Sequence, residues 1–111
     1  MKNIIIILLL TFGISAQAQQ KSKNAKHTIL VSGNCEQCKK RIEKAAFSVN
    51  GVKSADWSIE TQQLSLILNE EKTSPADVKK AVAKLGHDSE ETKATDLDYE
   101  NLHHCCKYDR K

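Results

Sequence analysis

The chain predicts an α+β fold, an antiparallel sheet with two helices packed on one face, and three observations carry that reading. Short β-branched or alternating runs recur at 27–31, 52–59 and 64–68. Two stretches with helical spacing of apolar residues fall between and after them. Each of those stretches closes on a glycine, Gly51 and Gly86, the residue suited to a left-handed helix end.

The elements follow in order. His27-Thr28-Ile29-Leu30-Val31 reads as the first strand. From Cys38 to Val49 the apolar positions Ile42, Ala45, Ala46 and Val49 form one helical stripe, which Asn50-Gly51 ends. Residues 52–59 alternate, with Ala55, Trp57 and Ile59 on one face. Glu60-Thr61-Gln62 turns the chain, and Leu64, Leu66 and Leu68 alternate through a third strand. The second helix announces itself by Ser74 as N-cap, Pro75 at the first helical position and Asp77 in the first turn. Val78, Ala81, Val82 and Leu85 are its buried stripe. Residues 87–93 are polar and predict at most a short edge strand. Residues 95–106 predict a short helical tail, with Thr95 and Asp98 in capping-box spacing and Leu97 and Leu102 as anchors. So short a helix holds only when docked. The order βαββαβ is that of a ferredoxin-like sandwich.

The organisation around that unit is equally legible. Lys2, an apolar run of about eleven residues from Ile4 and the small residues of Ser15-Ala16-Gln17-Ala18 predict a cleavable signal peptide over 1–18, since a membrane span needs about 20. Residues 19–26 read as a polar leader, 27–93 as the folded domain and 94–111 as a His- and Cys-bearing tail. The expected location is therefore outside the cytosol, in the periplasm. The formal charge of +3 falls to about +2 without Lys2, and few aromatics remain, so nucleic acid is excluded as a partner.

Cys35 and Cys38 carry the chemistry. The run Gly33-Asn34-Cys35-Glu36-Gln37-Cys38 places two sulfurs where the first helix starts, and backbone N–H groups and the helix dipole there favour thiolate over thiol. Thiolates bind soft metals or attack disulfides. A second cluster, His103-His104-Cys105-Cys106, crowds two imidazoles and two thiols into four positions. It reads as an auxiliary soft-metal site, as a lid adding ligands to Cys35 and Cys38, or as a disulfide with two surface histidines. No general acid–base pair, nucleophile–base set or open hydrolytic metal site is evident, so no enzyme activity is expected.

The segment from 27 to 93 resembles the heavy-metal-associated domain family, which includes small copper chaperones, modules of copper-pumping ATPases and the periplasmic mercuric-ion-binding protein. The matching pieces are the first strand, Cys35-x-x-Cys38, Arg41-Ile42-Glu43-Lys44-Ala45, Gly51-Val52 and Lys84-Leu85-Gly86-His87. The loop is one residue shorter than the family's usual Gly-Met-x-Cys, and Met1 is the chain's one methionine, so a different group must brace it. The resemblance also implies that His87 lies near the metal loop, where it would ligate, donate to a sulfur or stand exposed.

Cu(I) and Hg(II) are both soft enough for two thiolates in near-linear coordination, whereas Zn(II) wants four ligands and would need the tail to fold over. The expected role is capture of Cu(I) by Cys35 and Cys38 for sequestration or handover to a metal-transporting membrane protein or other acceptor, by a monomer or a metal-bridged dimer. Mercuric-ion scavenging is the alternative. Thiol–disulfide exchange is the alternative from another class, although the single proline, Pro75, suits a helix start rather than a face opposite the cysteines. Lys39, Lys40, Arg41 and Lys44 would offset thiolate charge and suit an acidic partner, or form an ordinary solvated face.

Overall fold

A computed structural model describes residues 21–110. The expected signal peptide, 1–18, lies outside the described residues, as do the first two positions of the polar leader. Three strands and three helices follow in the order β1 (Ala25–Leu30), α1 (Glu36–Phe47), β2 (Val52–Trp57), β3 (Gln63–Leu68), α2 (Pro75–Lys84) and α3 (Asp96–Glu100), before one 3-10 turn at His104–Cys106.

The leucine alternation in β3 explains why that strand is central. Leu64, Leu66 and Leu68 all point inward, and β3 pairs antiparallel with β1 on one side and β2 on the other. A register shift between Val52 and Ser54 marks an irregularity at the start of β2. Ile29, Trp57 and the three leucines meet Ile42, Ala45 and Ala46 of α1 and Val78 and Val82 of α2 in one core. The stripes predicted for both helices are thus the inward faces, with Val49, Ala81 and Leu85 only partly buried at their margins.

The weak fourth strand is reduced to a single antiparallel bridge, Val31 with Ser89, on the free edge of β1. The physical reason lies in the sequence that follows Asp88. Residues 89–93 bring no inward apolar side chain, and the Ser89 N–H turns back to the Thr92 carbonyl at 2.9 Å. Glu90 takes up the edge instead, accepting from the Leu30 N–H at 2.8 Å.

The tail corrects one expectation and meets another. Thr95 caps α3 as its spacing predicts, its Oγ1 accepting from the Asp98 N–H at 3.0 Å. The helix does not run on to Cys106 but ends at Glu100. Leu97 and Leu102 sit five positions apart, roughly 140° around a helix of 3.6 residues per turn, so one helix cannot bury both. The chain breaks so that Leu102 enters the core, and Leu97, the other expected anchor, stays 70% exposed.

The C-terminal segment is clasped to the domain. Leu102 packs over Gly86, which has φ +99. A Cβ there would lie 2.6 Å from the Asp98 carbonyl oxygen and 2.8 Å from Leu102 Cγ, so a side chain is barred both by conformation and by space. The buried Tyr108 hydroxyl donates to the Gly86 carbonyl at 2.7 Å and accepts from the Asp88 N–H at 2.8 Å. Arg110 binds both oxygens of Asp88, at 3.0 and 2.9 Å, and donates to the Ala94 carbonyl at 2.7 Å. Its guanidinium lies 4.8 Å from the centre of the Tyr99 ring. Bidentate, charge-assisted geometry of this kind fixes position as well as charge.

Candidate metal centre

The loop between β1 and α1 is held from below by Trp57. Its indole N–H donates to the Val31 carbonyl at 3.0 Å. Its ring edge would lie 3.0 Å from a Cβ added at Gly33, and Cys38 Cβ would lie 3.1 Å from the same point. Glycine is required because the indole occupies the space under the loop. The missing methionine is thus replaced by a tryptophan from β2. The Gly33 N–H adds a bond to Gln62 Oε1 at 3.0 Å.

Cys35 is the N-cap of α1, with an extended backbone, and its carbonyl accepts from Lys39 to begin the helix. Cys38 sits in the first turn and is fully buried. The two sulfurs are 3.3 Å apart. Cys38 Sγ is held within the loop by Asn34, whose N–H approaches it at 3.4 Å and whose Oδ1 accepts from it at 3.3 Å.

The tail thiols converge on the same point. Cys105 Sγ lies 3.4 Å and Cys106 Sγ 3.6 Å from Cys35 Sγ, and 4.0 Å from each other. Cys35, Cys105 and Cys106 therefore present three sulfurs within 4.8 Å of one another, a group able to hold a metal ion. All four cysteines are free thiols. The disulfide reading of the tail has no bond in its favour here.

The thiols differ in acidity. Burial pushes Cys35 upward, but the Cys38 backbone N–H and the thiols of Cys38, Cys105 and Cys106 outweigh it, and the pKa falls to about 7. Of the two sulfurs at the helix start, Cys35 is thus the one whose thiol is lowered. Cys105 is raised, chiefly because its bond to Cys35 favours the protonated donor, and partly by burial. Burial, then the adjoining thiols Cys38 and Cys35, push Cys106 far above the ordinary thiol range. One lowered thiol with the raised thiols of Cys105 and Cys106 beside it is a hydrogen-bonded nest around one thiolate.

His87 is neither exposed nor bonded to a sulfur. It is fully buried, with Nδ1 2.8 Å from the Ser32 carbonyl and its ring stacked on Tyr108 at 5.8 Å. Burial lowers its pKa below 6.5, so Nδ1–H donates and the buried Nε2 has no partner. His87 thus links the metal loop to the clasped tail. Among the tail histidines, His103 Nδ1 is 3.7 Å from Cys105 Sγ, and His104 is exposed. His27 pairs with Glu70 at 3.0 Å, on the strand away from the thiols.

The basic stripe is partly spent on structure. Lys39 Nζ donates to Glu43 at 2.6 Å, Asp56 at 2.7 Å and the Trp57 carbonyl at 2.8 Å, so its charge serves the α1–β2 contact rather than the sulfurs. Arg41 donates to the Leu85 carbonyl at 3.3 Å. Lys40 and Lys44 remain exposed. Tyr108, Asp88 and Arg110, which place the tail thiols, were not singled out by sequence reasoning; the signal was two tyrosines in an otherwise polar tail.

Comparison with known proteins adds independent findings. The heavy-metal-associated domain model matches residues 28–88. The copper chaperone CopZ of Staphylococcus saprophyticus is 32% identical over 65 residues, which cover 58% of this chain and 96% of that protein. Among solved structures, the Cu(I)-loaded N-terminal domain of a potential copper-translocating P-type ATPase from Bacillus subtilis superposes with a TM-score of 0.57 at 29% identity, covering 60% of this chain and 85% of that one. Oxidised MerP from Ralstonia metallidurans CH34 superposes with a TM-score of 0.52 at 32% identity, covering 60% of this chain and 96% of that one. The matched domain ends before the tail, so Cys105 and Cys106 lie beyond it.

Proposed function

From the premise that the chain belongs to the heavy-metal-associated domain family, we propose that it captures Cu(I) through Cys35 and Cys38, outside the cytosol, and holds the ion for sequestration or handover. The observation that carries this reading is a paired thiol seat at a helix start, two sulfurs 3.3 Å apart with one thiol lowered to about pH 7. Soft, low-valent copper prefers such sulfurs, and binding displaces the remaining protons. The similarity to a copper chaperone and to a domain of a potential copper-translocating ATPase supports copper as cargo and a metal-transporting membrane protein as acceptor. The role is binding without catalysis, by a monomer or a metal-bridged dimer.

Hg(II) asks for the same two sulfurs. It is the second reading, carried by the same pair of thiols 3.3 Å apart. Disulfide exchange is disfavoured because Pro75 stands at the first turn of α2, as the sequence predicts. The test is anaerobic titration with Cu(I) against a competing chelator, repeated with Hg(II). Cys35→Ser/Cys38→Ser should abolish retention of Cu(I), and unchanged retention in that variant would overturn the reading.

A further inference from the structure

The tail is placed by contacts that owe nothing to a metal. Leu102 is buried over Gly86, Tyr108 bridges Gly86 and Asp88, and Arg110 clamps Asp88. Asn34, which bonds Cys38 Sγ, also donates from Nδ2 to the Lys107 carbonyl at 3.2 Å, tying the metal loop to the residue after Cys106. Gln37 of α1 accepts from Cys105 Sγ at 2.9 Å. These bonds hold two thiols against Cys35 before any ion arrives. The separations of 3.4, 3.6 and 4.0 Å among Cys35, Cys105 and Cys106 draw a nearly equilateral triangle. A triangle of that size puts its centre roughly 2.1 Å from each sulfur, close to the ~2.3 Å of a metal–thiolate bond.

We propose that the tail is part of the metal seat, with Cys105 and Cys106 joining the Cys35–Cys38 pair on one soft ion to give a closed site of at least three thiolates. This rests on the soft-metal reading and adds to it the coordination number and the route of exchange. An open two-thiolate seat lets an acceptor's thiol approach freely; here Cys38 and Cys106 are buried, and Cys105 alone of the four lies on an exposed residue. Cys105 is therefore the sulfur that an incoming thiol displaces. In that step the metal–Cys105 bond breaks as a bond to the acceptor's sulfur forms. The acceptor thiol's proton passes to the Cys105 sulfur, and no electron changes hands. The tail makes the chain a retaining site that releases through one ligand.

X-ray absorption on the reduced full chain loaded anaerobically with one equivalent of Cu(I) tests this. Three or more sulfur neighbours are expected, falling to two in Cys105→Ser/Cys106→Ser. Loss of a group that merely supports a ligand weakens metal binding roughly 10- to 100-fold, so release to a chelator should accelerate at least that much in the double variant. Because Cys106 is buried, Cys105→Ser alone is the control for folding; it should keep the far-UV spectrum of the parent and still speed release. Two sulfurs in the parent, with release unchanged in both variants, would overturn the proposal while leaving capture by Cys35 and Cys38 standing. No Cu(I) bound by the parent would instead overturn the underlying reading.

Discussion

The molecule carries two cysteine pairs, and their chemistry diverges although their composition does not. Cys35 caps and Cys38 opens a twelve-residue helix, and the Cys38 N–H lowers the Cys35 thiol; Cys105 and Cys106 lie in a single 3-10 turn and point back at that same Cys35 sulfur. The first pair includes a thiol lowered to about 7, and both thiols of the second are raised. The environment of the sulfur, rather than the presence of cysteine, sets which one is ready to ligate. A donor at a helix start makes a thiolate, and a neighbour that must donate to that thiolate keeps its proton.

The largest effect expected from breaking this contrast is on metal retention. Cys35→Ser should weaken Cu(I) binding by more than Cys105→Ser does, and by at least about 100-fold, since it removes the sulfur that all the others approach. Chelator competition measures both, and equal losses would erase the distinction between the pairs.

Next come the packing contacts that bring the pairs together. Leu102→Ala removes a side chain 4% exposed, and comparable core truncations destabilise by about 2–5 kcal/mol. Urea unfolding should register that loss, and alkylation of Cys106 in the metal-free chain should accelerate as the tail lifts. Rapid unfolding without any gain in Cys106 reactivity would mean that Leu102 stabilises the core without positioning the thiols. Gly86→Ala should act in the same direction through φ +99 and the 2.6 Å approach of the Asp98 carbonyl.

Smaller effects follow from pH. Alkylation of Cys35 should rise through a midpoint near pH 7, while Cys105 and Cys106 respond only at higher pH; a shared midpoint near the ordinary thiol value would remove the contrast. The clasp has its own window. Burial raises the Asp88 pKa, but the bonds from Arg110 and the Ala94 N–H prevail, and the folded value lies below 3.8. A depressed carboxyl contributes stability above its unfolded pKa and loses it as pH falls through the folded value, so the Arg110 contribution should fade below about pH 4. Asp88→Asn should flatten that acid limb in thermal melts followed from pH 6 to 2. Asp56→Ala, which removes an exposed partner of Lys39, should alter stability least.

Much of this was legible in the chain. The leucine alternation at 64–68 and the stripe through Ile42, Ala45 and Ala46 point to the core because periodicity is local. Cys35 and Cys38 were legible because three positions and a helix start suffice to define them. The convergence of Cys105 and Cys106 on Cys35 was one of several readings of the tail, because it depends on contacts spanning about seventy positions. Tyr108 and Arg110 act through Gly86, Asp88 and Ala94, partners that no spacing rule connects. His87 shows the limit well: its place near the loop was expected, but its bond to the Ser32 carbonyl and its stacking on a tyrosine twenty-one positions downstream follow from no local pattern.

The most direct measurement is alkylation of each cysteine, resolved by mass spectrometry, before and after one equivalent of Cu(I) is added anaerobically to the reduced chain. Cys35 and Cys38 should become protected together at one equivalent, with Cys105 and Cys106 protected in step. Alkylation of Cys35 and Cys38 at the metal-free rate, with copper present, would contradict capture by that pair.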